Sequence, residues 1–318
     1  MRQDISCNMK IVFLEPLGLS VDIIEEACRP LKENGDEVVI YADRNEHVDV
    51  LSERACDADV VVVSNIPLTR EFFDACPKLK MLSIAFTGLD HIDLGICEER
   101  SIVVHNAAGY STHAVAELTI AMMIDLYRNV IDNDHTTRLC VGRGIMPGRE
   151  LRGKTVGIVG LGNIGRRVAE LSHAFGCKVI AWNRTACAVE GVELVDKETL
   201  FSTADIVTIH TALCDETRGM IDSEALSMMK PESILINTSR GPVVDEKALA
   251  HALMTHKIAG AAVDVYGQEP PLHPDNILLQ TPNLIMLPHI GFATEEAFAL
   301  RLEIVVDNIM KWISHRDV

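Results

Sequence analysis

Several side chains suited to acid–base and anion chemistry stand just past apolar runs in the C-terminal half of the chain. Arg240 follows "ILINTS" in "INTSRGPVVDEKAL", Asp264 and Glu269 lie in "AAVDVYGQEP", and His289 follows "LIML" in "LIMLPHIGFAT". Singly, each has an ordinary explanation: a surface cation, a loop carboxylate before Pro270, a satisfied loop histidine. Together they matter, because ligands of open α/β sheets bind at the carboxyl ends of the strands. Upstream, "KTVGIVGLGNIGRRVAE" sets Gly160, Gly162 and Gly165 between an apolar run and a helix-favouring one. In that context Gly160 permits a tight turn, Gly162 lets backbone approach a pyrophosphate, and Gly165 lets helix lie close on strand. The helix N-terminus adds N–H groups and a positive dipole end. The pattern is that of a dinucleotide site on which the strand-end side chains converge.

The next apolar run, "KVIAWN", ends in Asn183, Arg184 and Thr185, where a carboxylate would ordinarily bind the adenosine ribose and repel a 2′-phosphate. Asn183 can donate or accept a hydrogen bond, and the planar fork of Arg184 suits a phosphate. The expectation therefore leans to NADP over NAD. The alternative, NAD held by Asn183 with Arg184 facing water, stays open.

Elements must hold these residues in place. "KIVFL", "EVVIY", "DVVVVS", "KMLSIAF" and "SIVVH" read as buried strands in the first hundred residues. Between them, "SVDIIEEACRPLKENG" reads as a helix capped at Ser20 and stopped at Gly35, and "LTREFFDAC" as a shorter one ended by Pro77. "STHAVAELTIAMMIDLYRNV" predicts a long helix over 111–130, apolar on most faces, hence buried or shared with a second subunit. "CVGRGIMPGRELRGK" reads as a connecting loop. A second set of strands follows: "KTVGIVG", "KVIAWN", "DIVTIH", "SILINTS", "IAGAAVDV" and "NLIML". A helix capped at Asp245 comes after Arg240, and "EEAFALRLEIVVDNIMKWI" predicts an amphipathic helix able to pack back on the N-terminal half. Strand–helix alternation of this kind implies parallel, doubly wound sheets.

The totals agree. At 318 residues the chain has room for two domains, with 48% apolar and 24% charged residues. A net charge of −17 opposes nucleic acid or an anionic membrane as partner. The nine cysteines are scattered without a C-x-x-C pair, against a disulfide framework or a structural zinc site. "MRQDISCNMK" lacks a signal-like apolar core and no run is long enough to cross a membrane, so the chain reads as cytoplasmic.

In family order, "TGLDHID", "NAAGYSTHAVAE", "GLGNIG", "NTSRGPVVDEKAL", "DVYGQEP" and "LPHIGFAT" resemble the D-isomer-specific 2-hydroxyacid dehydrogenases over nearly the whole chain. The resemblance implies an α/β fold of two doubly wound parallel-sheet domains with a cleft between. A flavodoxin-like substrate domain would comprise 1–103 and 290–318, and a Rossmann-type cofactor domain 104–289, hinged near 102–106 and 287–292. Arg240 then resembles the arginine that grips the substrate carboxylate, His289 the acid/base histidine, and Glu269 its carboxylate partner. Backbone N–H groups near Thr87 and Gly88 would complete the carboxylate cradle. Asn163 and Ile164 would lie against the pyrophosphate, His210, Thr211, Ala212 and Thr217 along the cofactor, and Asp264 near the nicotinamide amide. Thr238, Ser239, Arg240, His289 and Gly291 would also contact the cofactor. The side-chain types suit keto-acid reduction. Arginine stabilises a developing alkoxide without deprotonating, and an imidazole charged with a carboxylate's help supplies the proton.

Departures from the family pattern are Ala107-Ala108 and Ala212, each where a proline is frequent, and Asn183 for an aspartate. The loop "VVSNIPLTREFF" offers a substrate phosphate no arginine before Arg70, which disfavours a dianionic substrate. Leu68, Phe86 and Tyr110 would line a pocket for a small R-group, and Glu269, not an amide, counts against formate dehydrogenase. The expected substrate is a small 2-keto or 2-hydroxy acid, and the expected assembly a homodimer through the 111–130 helix. Rival readings are a phosphoglycerate dehydrogenase without its regulatory domain, a dinucleotide-sensing binding protein and an adenosylhomocysteinase-like enzyme. The chain is short for the last.

Overall fold

Short apolar runs of the N-terminal region become five parallel strands: β1 (Lys10–Phe13), β2 (Glu37–Ile40), β3 (Val60–Val63), β4 (Met81–Ile84) and β5 (Val103–Asn106), in the order β2-β1-β3-β4-β5. β3 is Val-Val-Val-Val and buried throughout, as a strand covered on both faces must be. This is a computed structural model, and it describes residues 8–142, 147–185, 188–269 and 271–316. Cys7, Cys187, Pro270 and part of the segment 140–154 lie outside the described residues. The chain divides into two units, Met1–Ser111 with Ala293–Val318, and Thr112–Phe292. The two crossings fall eight and three residues beyond the boundaries the sequence suggests.

In the first unit the helices are α1 (Val21–Ala27), α2 (Arg29–Glu33), α3 (Val48–Ala55), α4 (Arg70–Ala75) and α5 (Leu94–Glu99). The single helix expected over 20–35 is thus two helices. Pro30 sits in the first turn of α2, where its missing N–H costs nothing, whereas mid-helix it would break the ladder. Ser20 precedes α1 but its side chain bonds no first-turn N–H. The C-terminal helix, Glu295–Arg316, returns to this unit as expected. Its Leu302, Val305, Ile309 and Trp312 join Ile11, Phe13, Ile24, Val60, Val62 and Met81 in one core.

The second unit opens with α6 (Thr112–Arg128) and α7 (Val130–Arg138). Asn129 between them takes the left-handed conformation (φ 49°, ψ 49°), which ends the long helix two residues early. The rest alternates: β6 (Thr155–Val159), α8 (Asn163–Ala174), β7 (Lys178–Trp182), β8 (Val192–Leu194), α9 (Lys197–Thr203), β9 (Ile206–Ile209), α10 (Ser223–Met228), β10 (Ile234–Asn237), α11 (Glu246–Met254), β11 (Gly260–Val263) and β12 (Leu284–Met286). All pairs are parallel, in the order β12-β11-β10-β9-β6-β7-β8. Side chains alternate between two buried layers: Ile206, Ile234 and Ile236 pack with Met122, Met123 and Val168. Val207, Ile209 and Leu235 pack with Phe201, Leu226 and Leu253. The chain leaves β6 in both directions, so the switch point lies between β6 and β9, where such sheets bind ligands.

Candidate functional site

Gly160 leaves β6 with φ +100°, and a Cβ there would lie 2.8 Å from the His210 carbonyl oxygen at the end of β9. Only glycine fits this turn at the switch point. A Cβ on Gly165 would sit 2.0 Å from the Gly160 oxygen, so the third glycine is what lets α8 begin so near β6. A Cβ on Gly162, by contrast, meets nothing within 4 Å. Gly162, with no side chain of its own to offer, caps α8, and among the described residues no side chain bonds the first-turn N–H groups. Asn163 and Ile164 open that helix. The loop is therefore packed on the protein side, open at Gly162, and ends in uncapped helix donors, a fit for a pyrophosphate.

Around this loop, Asn183 accepts the Leu161 N–H (2.9 Å) and donates to the Thr185 carbonyl (2.7 Å). It thus ties the fingerprint loop to the end of β7. Arg184 pairs with Glu216 (2.9 Å) on the turn after β9, both side chains mostly exposed. Thr217 is buried; its hydroxyl donates to the Ala212 carbonyl and accepts the Cys214 N–H, both at 2.8 Å. The Thr211 hydroxyl reaches the same carbonyl at 3.5 Å. His210 Nε2 shares a hydrogen bond with Thr208 (2.8 Å), and its Nδ1 is buried without a partner among the described residues. Burial pushes this imidazole down to about 3, so it is neutral at working pH.

The other candidates follow three adjacent strands. At the end of β10, Asn237 accepts from the Ser239 N–H and hydroxyl (3.1 and 3.0 Å) and donates to the Arg240 carbonyl (3.0 Å). Thr238 meets Thr119 of α6 at 3.2 Å, hydroxyl to hydroxyl. Arg240 has extended backbone and bonds the Ser239 carbonyl through Nη1 (2.8 Å). After β11, Asp264 is buried, and its two oxygens accept the Ile290 and Gly291 N–H groups (2.8 and 2.7 Å). Burial raises its carboxyl above the usual range, with those two N–H bonds opposing. After β12, His289 stands in the left-handed region (φ 57°). Its Nδ1 lies 3.1 Å from Glu269 Oε2, and the Phe292 ring meets it edge-on.

The loops carrying these residues are locked to one another. A Cβ on Gly241 would fall 1.9 Å from the Tyr266 carbonyl carbon, so backbone crosses backbone beside Arg240. The Tyr266 hydroxyl donates to the Leu287 carbonyl (2.8 Å), two residues before His289. Glu246 accepts the Gly267 N–H (2.6 Å), two residues before Glu269. Tyr266, Glu246 and Glu216 carry no sequence signal for these roles. They act through partners distant in the chain.

In the first unit, Thr87 and Gly88 follow β4, and Asn106 donates to the Thr87 carbonyl (2.7 Å). After β3, the Ser64 N–H bonds the buried Glu15 (2.6 Å), and Arg44 bridges Glu15 (2.6 Å) and Asn65 (2.8 Å). Arg70 pairs with Glu99 at 3.4 Å. Leu68, Phe86 and Tyr110 are buried.

A cavity of about 500 Å³ lies beside α6 and α7, at the starts of β10 and β11 and along β12. Arg240, Glu269 and His289 do not line it, and it opens at the end of the sheet opposite theirs. Among the described residues no cluster of His, Cys, Asp and Glu could hold a metal ion, and no helix is long and apolar enough to cross a membrane.

Residues 120–291 match the family model for D-isomer specific 2-hydroxyacid dehydrogenase, NAD binding domain. The chain is 38% identical over 312 residues to a D-3-phosphoglycerate dehydrogenase of Methanocaldococcus jannaschii, covering 95% of this chain but only 57% of that relative's length. It is 38% identical over 269 residues to a glyoxylate reductase of Thermococcus litoralis, covering 81% of this chain and 80% of that one. A solved acyclic imino acid reductase (Bsp5), in complex with NADPH and D-Arg, superposes with TM-score 0.88 at 28% identity, over 96% of this chain and 98% of that one. The fingerprint geometry and the family's NAD-binding model coincide on the second unit, which is the nicotinamide-dinucleotide module of this chain.

Proposed function

The chain belongs to the D-isomer specific 2-hydroxyacid dehydrogenase family, and from that premise we propose that it interconverts a small 2-keto acid and its D-2-hydroxy acid. The observation that carries this reading is the His289–Glu269 contact of 3.1 Å, fixed on the strand-end loops that also carry Arg240 and Asp264. The bound dinucleotide supplies or accepts the hydride. Arg240 holds the substrate carboxylate and offsets charge on the carbonyl oxygen without ever deprotonating. An ionised carboxylate only accepts hydrogen bonds, so Glu269 commits His289 Nδ1 to carry a proton. Nε2 is left to deliver the proton to the reduced carbonyl, or to take it from the hydroxyl in the reverse direction. Gly162 and the start of α8 hold the pyrophosphate, and Asp264 keeps the 289–291 backbone in place.

For the cofactor we put NADP first. Asn183 brings no carboxylate to the ribose and Arg184 brings a guanidinium, while neighbours of the same fold were solved with NADPH and with NAD alike. NAD is the alternative.

The substrate reading favours a free keto acid. Arg70 pairs with Glu99 and Arg44 with the buried Glu15, so a phosphate near the β3 loop would first have to displace a carboxylate from either cation. A phosphorylated substrate is the second reading, supported by the phosphoglycerate dehydrogenase named among the relatives. Initial rates with NADH and NADPH against pyruvate, hydroxypyruvate, glyoxylate, phenylpyruvate and phosphohydroxypyruvate test both. We expect a free keto acid to have the highest kcat/KM. Preference for the phosphorylated acid would reverse the substrate assignment, and no turnover on any of them would sink the enzyme reading in favour of dinucleotide sensing.

We also propose a homodimer, through a surface that meets the 111–130 segment at its end and continues past it. The apolar side chains of α6 are largely buried inside the unit, packed on α8, β10 and β11. Exposed apolar side chains lie just beyond it: Val130, Ile131, Leu139 and Val141. Ile131 also lines the cavity beside α7.

A further inference from the structure

A carboxylate does stand beside the end of β7, but it comes from another loop. Glu216, on the turn after β9, sets Oε2 2.9 Å from Arg184 Nη1 and accepts from the Cys214 thiol at 3.3 Å. The sheet order β9-β6-β7 places this turn and the end of β7 on either side of the fingerprint strand. Thr217, the next residue, is buried and bonded to both Ala212 and Cys214, so Glu216 is presented by a fixed turn. The Cys214 thiol and the Arg184 guanidinium hold its carboxyl below the usual carboxylate range. It is an anion throughout the working pH range.

We infer that Glu216 is a cofactor-specificity residue, which engages the guanidinium that a 2′-phosphate needs and opposes that phosphate with its own charge. The inference rests on the reading of Arg184 as the 2′-phosphate ligand. A phosphate on the ribose must displace Glu216 from Arg184 and lie near a carboxylate, whereas a ribose with a free 2′-hydroxyl faces no such cost and finds an acceptor. Specificity set by a repulsive element acts in this way, against one ligand more than the other. Asn183 and Arg184 pull toward NADP, Glu216 pulls back, and the result is a narrow preference in place of a strict one.

The test is the ratio of kcat/KM for NADPH to that for NADH in the parent enzyme, Glu216→Gln, Arg184→Ala and the double variant. Glu216→Gln should raise the ratio about threefold to fivefold, the scale of an exposed ion pair. That gain should shrink at about 1 M salt, where such charges are screened. Arg184→Ala should lower the ratio, and in its background Glu216→Gln should add no comparable gain. Dissociation constants from nucleotide fluorescence give the same comparison without turnover. A ratio unmoved or lowered by Glu216→Gln, while Arg184→Ala still lowers it, overturns the inference and leaves the Arg184 reading standing. A ratio unmoved by Arg184→Ala overturns that reading and the inference with it.

Discussion

His289 occupies backbone space that few residues other than glycine favour, with φ at 57°. Such a conformation persists only where the surroundings over-determine it. Here Asp264 takes both of the next two backbone N–H groups, Tyr266 holds the carbonyl of Leu287, and Glu269 engages the ring. Tyr266 therefore links the two halves of the acid–base pair, one loop through its backbone and the other through its hydroxyl. Tyr266→Phe leaves the ring in the core and removes only that hydroxyl. A melting curve should show a loss of about 1–2 kcal/mol, the cost of a buried bond to a carbonyl left without its donor. Initial rates should show kcat falling several-fold with KM little changed, because the acid–base pair is loosened and carboxylate binding at Arg240 is not. A variant that loses stability but keeps kcat would reduce Tyr266 to a packing residue.

Strand ends position everything at the next scale up, and two glycines separate the roles of those ends. Gly241 has no room for a Cβ against the Tyr266 backbone. Gly241→Ala should then cost at least about 3 kcal/mol, since backbone cannot move aside as a side chain does. Gly162→Ala meets open space and loses only a tolerated N-cap residue, so it should cost no more than about 1 kcal/mol, while the KM for the dinucleotide rises. Equal destabilisation of both variants, measured by chemical denaturation, would contradict this assignment of the open side of the loop. Most of these elements were readable in the sequence because each strand is a continuous apolar run, as sheets covered on both faces require. What escaped had no such pattern. α7 has no buried residue and so no apolar stripe, β8 is a three-residue edge strand, and α3 and α5 are short. The split at Cys28 follows from Pro30, which sits in the first turn of α2. The chemical residues were legible as types after strands. Their supports, Glu246, Tyr266 and Glu216, were not, because a contact across 21 or 32 positions leaves no spacing to read.

For the whole molecule, the balance of buried and exposed apolar surface argues for association. Val130, Ile131, Leu139 and Val141 are each more than half exposed, and Ile131 also lines the cavity beside α7; exposed apolar side chains along one short segment suit an interaction surface. Sedimentation equilibrium should find a dimer, and Ile131→Asp should shift it toward monomer without unfolding the chain; a parent enzyme that sediments as a monomer would contradict the proposal. The central claim is that one acid–base pair, His289 with Glu269, serves hydride chemistry at a site the second unit builds around its dinucleotide. The most direct test compares keto-acid-dependent oxidation of NADPH and NADH by the parent enzyme and by His289→Gln, with nucleotide binding followed by fluorescence in both. Loss of about 10²–10⁴-fold in turnover, with nucleotide binding retained, is the predicted result. Turnover that survives the substitution would contradict it.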